Sequence, residues 1–279
     1  MASAEADAAP LAPLEPALAA LVAASEQAAL TLLVGNCGAA RSMDGQPWTA
    51  TLTSAAPQLT VFWAPVPGSS NNRFKGVCEL PYAPALVWDC LHDNPRRHHW
   101  DRNISRVTSL PLAAGPRVTP ASAPVRACIV HSQTRNVGII AGRDFVDLPV
   151  FHALAAAGAP AGPDGWVAPP GTLVSGGAGV VDARFPEQQG FVRGWNSPGS
   201  GWVLEPLPQG SAGEVHTRVH YLIHTDLKGW IPCALINASL AVRAGRGRRP
   251  VGGGGRCAAR ARAGCALTYS DFPCPRFPP

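Results

Sequence analysis

Residues Ala17–Val34 are rich in Ala and Leu, and Ser25–Gln27 interrupts the run near its middle. Pro16 suits the first turn of a helix, and Gly35 or Asn36 suits its end. Leu18, Leu21, Val22, Leu30 and Leu33 can form one buried stripe, which predicts a surface helix packed on the body of the protein. From Trp48 onward the period shortens to two. Trp48–Thr53, Leu59–Trp63 and Arg73–Leu80 alternate in polarity and are bounded by Pro57, Pro65, Pro67 and Gly68, so they read as strands. Pro84 opens a helix reaching about His92, and Arg96–Asp101 reads as a short helical or turn segment.

Further strands are predicted at Ile104–Leu112, Val125–Gln133, Arg143–Leu148, Thr172–Val181, Phe191–Asn196 and Gly201–Leu207. The clearest is Glu214–Asp226. There Val215, Thr217, Val219, Tyr221 and Ile223 share one face, while His216, Arg218, His220 and His224 share the other with Leu222. Ile231–Pro232 then opens a last helix carrying Leu235, Ile236, Leu240 and Val242, which stops near Gly245. Residues 153–170 hold Ala, Gly, Pro and a few apolar residues with one charge, Asp164, and read as a low-complexity connection. A helix, many antiparallel strands and a final helix make an α+β layout.

Composition sharpens this outline. Gly and Pro number 29 each in 279 residues, which excludes a long coiled coil and demands many short elements joined by turns. The net charge of +5 is misplaced if spread over the whole chain. Residues 243–279 hold eight Arg and one acid, Asp271, for +7; the other 242 residues have 15 basic and 17 acidic groups, for −2. The body therefore offers no basic field, and no nucleic-acid partner is expected. The tail has an Arg/Gly character with no hydrophobic period and is expected to be disordered.

The eight cysteines form no C-x-x-C, so no zinc site is expected, and a chain of this size does not need disulfides to fold. They read as thiols of a reducing compartment. Residues 1–16 carry Glu5, Asp7 and Glu15 but no basic residue, so a secretory leader is not expected and the reading is cytoplasmic. His216 and His220 have metal-pair spacing for a helix. On a strand they stand about 13 Å apart and cannot share an ion, so a solvated or stacked strand face is expected. His98 and His99 beside Arg96 and Arg97 read as an exposed polar turn. The Gly-rich runs lack the strand, helix and Lys context of a phosphate loop, and no G-x-S-x-G occurs. No catalytic centre, metal or cofactor is expected.

Five short segments in order carry a resemblance: Val87–Cys90 (VWDC), Trp100–Ile104 (WDRNI), Arg143–Asp147 (RDFVD), Gly190–Asn196 (GFVRGWN) and Asp226–Pro232 (DLKGWIP), the last running on to Leu235–Asn237. Together they resemble the START domain, the lipid-transfer module named for the steroidogenic acute regulatory protein, over about residues 44–242. The likeness is nearest to the small single-domain cytosolic carriers of sterols or bile acids. It implies the helix-grip fold, a curved antiparallel sheet around a C-terminal helix, here preceded by an N-terminal helix. It divides the chain into a leader and helix at 1–43, a lipid-binding domain at 44–244 with an insertion at 153–170, and a tail at 245–279.

The resemblance also implies an apolar tunnel for one lipid, reached by transient contact with a membrane surface, in a monomeric, non-enzymatic protein. Competing readings are a helix-grip enzyme, a lipid-regulated accessory domain, or a form made non-functional by an incomplete lid. Cholesterol-carrying relatives place a buried acid and Arg where this chain has Val130 and Pro149, so selection by shape is expected. Alternation about those positions points Ser132, Phe145 and Asp147 inward, with Arg143, Asn196 and Tyr221 as further lining residues. Trp100, Asp101, Asp144, Asp226, Lys228 and Trp230 are implied to be structural, Asp226 and Lys228 pinning the corner before the last helix. From Pro232 to Ala244 that helix would be about 20 Å long, shorter than the family's lid, which is expected to leave part of the tunnel open.

Overall fold

A computed structural model describes residues 14–38, 40–55, 58–101, 103–136, 140–154, 164–208 and 216–229. The predicted last helix, Trp230, the tail at 245–279 and the middle of the 153–170 connection lie outside the described residues. Helix α1 spans Pro16–Ala28 and continues as a π-turn over Ala29–Leu33. Strands β1 (Thr49–Ala55), β2 (Gln58–Ala64) and β3 (Arg73–Leu80) follow, then α2 (Pro84–His92) and the one-turn α3 (Arg97–Trp100). The remaining strands are β4 (Ile104–Ala114), β5 (Val125–Thr134), β6 (Gly142–Ala153), β7 (Leu173–Gly179), β8 (Phe191–Arg193), β9 (Trp195–Asn196), β10 (Ser200–Pro206), β11 (Thr217–Ile223) and β12 (Thr225–Asp226).

Among the described residues, ten strands form one sheet in the order β1-β2-β3-β11-β10-β7-β6-β5-β4, with β8 paired to β6. The β8 pairing is parallel and every other ladder is antiparallel; β9 and β12 make a separate pair. Register shifts in β1 and at three places in β4 mark bulges, which bend a sheet locally.

The two faces of the sheet do different work. On one, Val146, Leu148 and Val150 of β6 join Ala127 and Ile129 of β5, Val174, Val203 and Leu222 beneath Val22, Ala29 and Leu33 of α1. Each Val, Leu or Ile among them, fully buried, contributes about 1.5–3 kcal/mol. Pro16–Leu33 is apolar enough by length and composition to cross a membrane, yet its buried side packs on β6 and β7. Its stripe runs through Val22, Ser25, Ala29 and Leu33, and Leu21 is exposed. Leu21 was expected in the stripe, but it lies about 100° round the helix from Val22. At Gly176 of β7 a Cβ would lie 2.4 Å from Leu33 Cδ2, so the missing side chain leaves room for the tip of Leu33.

Two buried basic side chains on this face, Lys75 and His220, have definite partners. Lys75 is 1% exposed, lies 4.2 Å from the centre of the Trp48 ring, and donates to the carbonyls of Asn36 and Gly38 just past α1. It thereby satisfies carbonyls that the helix end leaves free. Burial pushes its pKa down to about 8. His220, expected on a solvated or stacked face, is instead buried, with Nε2 3.0 Å from Glu205 and its ring 5.8 Å from Trp166. Trp166, Ala168 and Asp164 show that the end of the low-complexity connection is packed: Trp166 joins the core, Ala168 is buried, and Asp164 accepts from the Ala40 amide.

On the opposite face, Trp88 and Leu91 of α2 and Trp100 of α3 pack with Cys78, Trp202, Leu204 and Val219. They cover one part of the sheet and leave the rest facing a cavity.

Candidate functional site

The cavity has a volume of about 560 Å³, within the range of small-molecule sites. Its sheet wall follows from strand alternation. Odd positions 107–111 of β4, even positions 128–134 of β5 and odd positions 145–151 of β6 all open onto it. The opposite wall comes from α2 and α3, and the far side from Trp202 of β10 and Tyr221 of β11, stacked with ring centres 4.1 Å apart.

Of the residues expected to point inward, Val130, Ser132, Phe145, Asp147, Pro149, Asn196 and Tyr221 line this one cavity. Val130 faces Asp147 across the ladder, and Ser132 faces Phe145. Arg143 is a correction, for it is not in the lining. Its Nε donates to the Leu227 carbonyl at 3.1 Å, its Nη2 to the Lys228 carbonyl at 3.2 Å, and its Nη1 to the Ala141 carbonyl at 2.6 Å. Alternation alone puts it on the cavity side, but the 227–229 segment passes over that end of β6 and takes the guanidinium.

The residues read as structural have definite partners. Asp144 accepts from Arg193 Nη2 at 2.8 Å and from His131 Nε2 at 3.2 Å. Burial alone would raise its pKa, but these partners hold it below the usual carboxylate value. Trp100 is buried, and the Asp101 carboxylate accepts from the Asn103 amide and pairs with Arg97. Asp226 accepts from both the backbone and the ammonium of Lys228, at 2.9 and 2.6 Å. Lys228 has φ of 50°, a left-handed conformation fixed at this corner.

Polar side chains interrupt the apolar wall, and several of them are held by protein partners. Asp147 projects from the middle of β6 and takes two hydrogen bonds from Asn196 Nδ2, at 3.0 and 3.2 Å. Burial pushes the Asp147 carboxyl up to about 6, against the lowering effect of Asn196 and the Arg97 charge. Arg97 reaches the cavity from α3, its guanidinium 5.0 Å from the Trp100 ring centre and 3.5 Å from Asp101. A second polar point lies on the same wall. His92 Nδ1 is 2.9 Å from the Trp88 carbonyl, which can only accept, so that nitrogen carries the proton. Burial pushes His92 down to about 4, so the ring is neutral and Nε2 accepts from the Ser175 hydroxyl at 2.9 Å.

Arg97, His92, Ser175, Trp88, Phe151 and Trp202 were not foreseen as lining. For Phe151 a signal existed, since it continues the alternation of Phe145, Asp147 and Pro149; the predicted strand simply stopped too early. A one-turn helix such as α3 has no period from which to read the direction of Arg97. Among the described residues no group of three His, Cys, Asp or Glu is arranged to hold a metal. Cys37, Cys78, Cys90 and Cys128 are free thiols.

A sheet with a helix packed on one face and a partly apolar cavity on the other is the frame of a small-molecule site. The comparisons narrow the class. The START domain family matches residues 60–249, and the chain belongs to that family, whose members bind and transfer lipids. StAR-related lipid transfer protein 5 of Mus musculus is 27% identical over 184 residues, covering 64% of this chain and 73% of its own length. The mitochondrial steroidogenic acute regulatory protein of Gallus gallus is 41% identical over 70 residues, a quarter of this chain and 24% of its own. The structure of human StAR-related lipid transfer protein 5 superposes with a TM-score of 0.61 at 24% identity, covering 81% of this chain and 91% of that one. Human STARD10 gives 0.53 at 20% identity, covering 71% and 68%. The fold is therefore the α+β helix-grip fold with an added N-terminal helix.

Proposed function

We propose that this chain is a non-enzymatic carrier that holds one sterol-like or bile-acid-like lipid and exchanges it at membrane surfaces, working as a cytoplasmic monomer. The observation that carries the reading is the cavity. It is large enough for a multi-ring lipid, and aliphatic and aromatic side chains share its lining with polar groups, among which Asp147–Asn196 and His92–Ser175 are hydrogen-bonded pairs. Removing apolar ligand surface from water there yields about 25 cal/mol per Å². The polar points then fix orientation, because a buried polar atom left unpaired costs about 1–3 kcal/mol. The residues proposed to contact ligand are Val130, Ser132, Phe145, Asp147, Pro149, Asn196 and Tyr221. Membership of a lipid-transfer family and the likeness to StAR-related lipid transfer protein 5 support the class of ligand.

The test is native mass spectrometry of the purified chain, followed by transfer of a sterol between donor and acceptor vesicles. One lipid per protein and transfer faster than without protein are expected. Purification without lipid, together with no gain in transfer, would overturn the proposal. Salt separates it from a role for the Arg/Gly tail on nucleic acid. Phosphate contacts weaken steeply as salt rises, and an apolar cavity is indifferent to it.

A further inference from the structure

We propose that residues 115–124, the turn joining β4 to β5, form a flap over the cavity whose opening is controlled by a hydrogen bond from Thr119 to Asp89 of α2, an inference that rests on the carrier reading above. Val118, Ala121, Ser122 and Ala123 of this turn line the cavity, and so does Asp89. The Thr119 hydroxyl, in a residue only 3% exposed, donates to the Asp89 carboxylate at 2.7 Å. Beside that bond Val118 packs against the cluster that holds Trp88 and Leu91 of α2. The flap stands at the end of β5 where Ala127 faces Val150 of β6. Arg143, which holds the 227–229 corner, lies at the other end of β6, about 23 Å away.

The turn is braced to move as one piece. The Ser122 hydroxyl accepts from the Val118 and Thr119 amides, both at 3.0 Å, and donates to the Thr119 carbonyl at 3.0 Å. The Ser122 amide donates back to the Thr119 hydroxyl oxygen at 3.0 Å, and Arg117 Nη1 donates to the Ser122 carbonyl at 2.7 Å. Pro116, Pro120 and Pro124 fix φ at three further points. The base of the turn is looser. Among the described residues β4 is an edge strand, and its pairing with β5 is irregular between Pro111 and Ala113 and again between Ala113 and Ala114. An edge ladder interrupted beside the turn has few hydrogen bonds to give up when it bends, so the hinge lies there. A rigid turn on such a base, tied to α2 by a hydrogen bond and the packing of Val118, has two arrangements: closed with Thr119 on Asp89, and open with both groups bonded to water. Only the net worth of the bond and the apolar contact opposes opening, which gives a ligand a way out between the β4–β5 turn and α2.

The kinetics of a fluorescent 3β-hydroxysterol on the purified full chain test the flap. Thr119→Val keeps the shape and removes the donor, whereas Thr119→Ser keeps the hydroxyl. Association and release are measured separately by stopped flow, and hydrogen exchange is followed at the flap amides. In Thr119→Val, association and release should both quicken by about fivefold, leaving affinity little changed, and amide exchange across the flap should quicken with them. Thr119→Ser should behave as the wild type. Faster release with unchanged association would show that Thr119 merely supports the wall against bound ligand, and would overturn the gate while leaving the carrier reading intact. Unchanged sterol kinetics would do the same, whether or not amide exchange at the flap quickens. If Thr119→Val fails to fold, Asp89→Ala removes the same bond from the other side and is held to the same outcomes. Failure of the wild type to bind the sterol at all would overturn both the gate and the carrier reading.

Discussion

Replacing Asp147 with Asn should stabilise the ligand-free protein at neutral pH and leave it little changed near pH 4. The carboxyl has its pKa raised from 3.8 to about 6, chiefly by burial. A raised acid binds its proton more tightly in the folded chain than in the unfolded one. Between pH 4 and 6 the folded state therefore holds more protons, and stability falls as pH rises through that window. A shift of about two units sets a ceiling of about 3 kcal/mol, at 1.36 kcal/mol per unit. The group opens onto a cavity large enough to admit water, and screening reduces the effect to about 1–2 kcal/mol. Asn keeps an oxygen to accept from Asn196 and has no charge to desolvate. Denaturant melts of both proteins at half-unit steps from pH 4 to 7.5 give the difference curve. It should climb between pH 4 and 6 and then flatten. Taking the difference removes the opposite slope from acids with lowered pKa values, such as Asp144 and Glu205. A flat difference curve would show that Asp147 is not desolvated, and the account of the cavity's polar end would fail with it.

Three other perturbations follow from contacts already described. Arg143→Leu removes the donor for the carbonyls of Leu227 and Lys228, and should cost about 2–4 kcal/mol and speed amide exchange at 225–229; unchanged exchange there would refute its role in holding the corner. Gly177→Ala should lower the melting temperature more than Gly176→Ala. The new Cβ at 177 would lie 2.0 Å from the Leu148 carbonyl oxygen, which is backbone, while at 176 it meets the movable tip of Leu33 at 2.4 Å; the reverse order would refute this view of the α1 seat. Lys75→Met leaves two buried carbonyls without their cation and should destabilise by about 2–4 kcal/mol at pH 7. Because the Lys75 pKa is lowered to about 8, wild-type stability gains a contribution as pH rises from 8 towards 10.5, and the variant should lack that rise.

How much of this was legible in the sequence depended on the length of each periodic run. Arg73–Leu80 and Pro84–His92 appear as predicted, because eight or nine residues of one period bounded by Pro or polar turns leave little choice. The inward set on β5 and β6 was equally legible, since one correct residue fixes every second one. The same rule failed for Arg143 for a reason that no period encodes. Alternation tells which face a side chain leaves from, and not what a distant segment will bring over it, and the carbonyls of 227 and 228 lie more than eighty residues away in the chain. Leu21 was misplaced for a different reason: Leu was assumed to seek the core, although the angular position on the helix favours Val22 and Ala29.

The absence of charge at Val130 and Pro149 suggested a cavity selective mainly by shape. The wall nonetheless carries an acid on a central strand, an amide on a two-residue strand and an arginine on a single helical turn. Of the three, only Asp147 and Asn196 carried a local signal. Arg97 stood in a stretch that read as an exposed turn, and its neighbours His98 and His99 are indeed exposed. The side chain turns inward because Trp100 is buried beside it and offers its ring, while Asp101 holds the guanidinium from the other side. The position of one charge in this cavity is thus set by the burial of the residue three places further along the chain, which is why the ligand-selecting chemistry is harder to read than the fold that contains it.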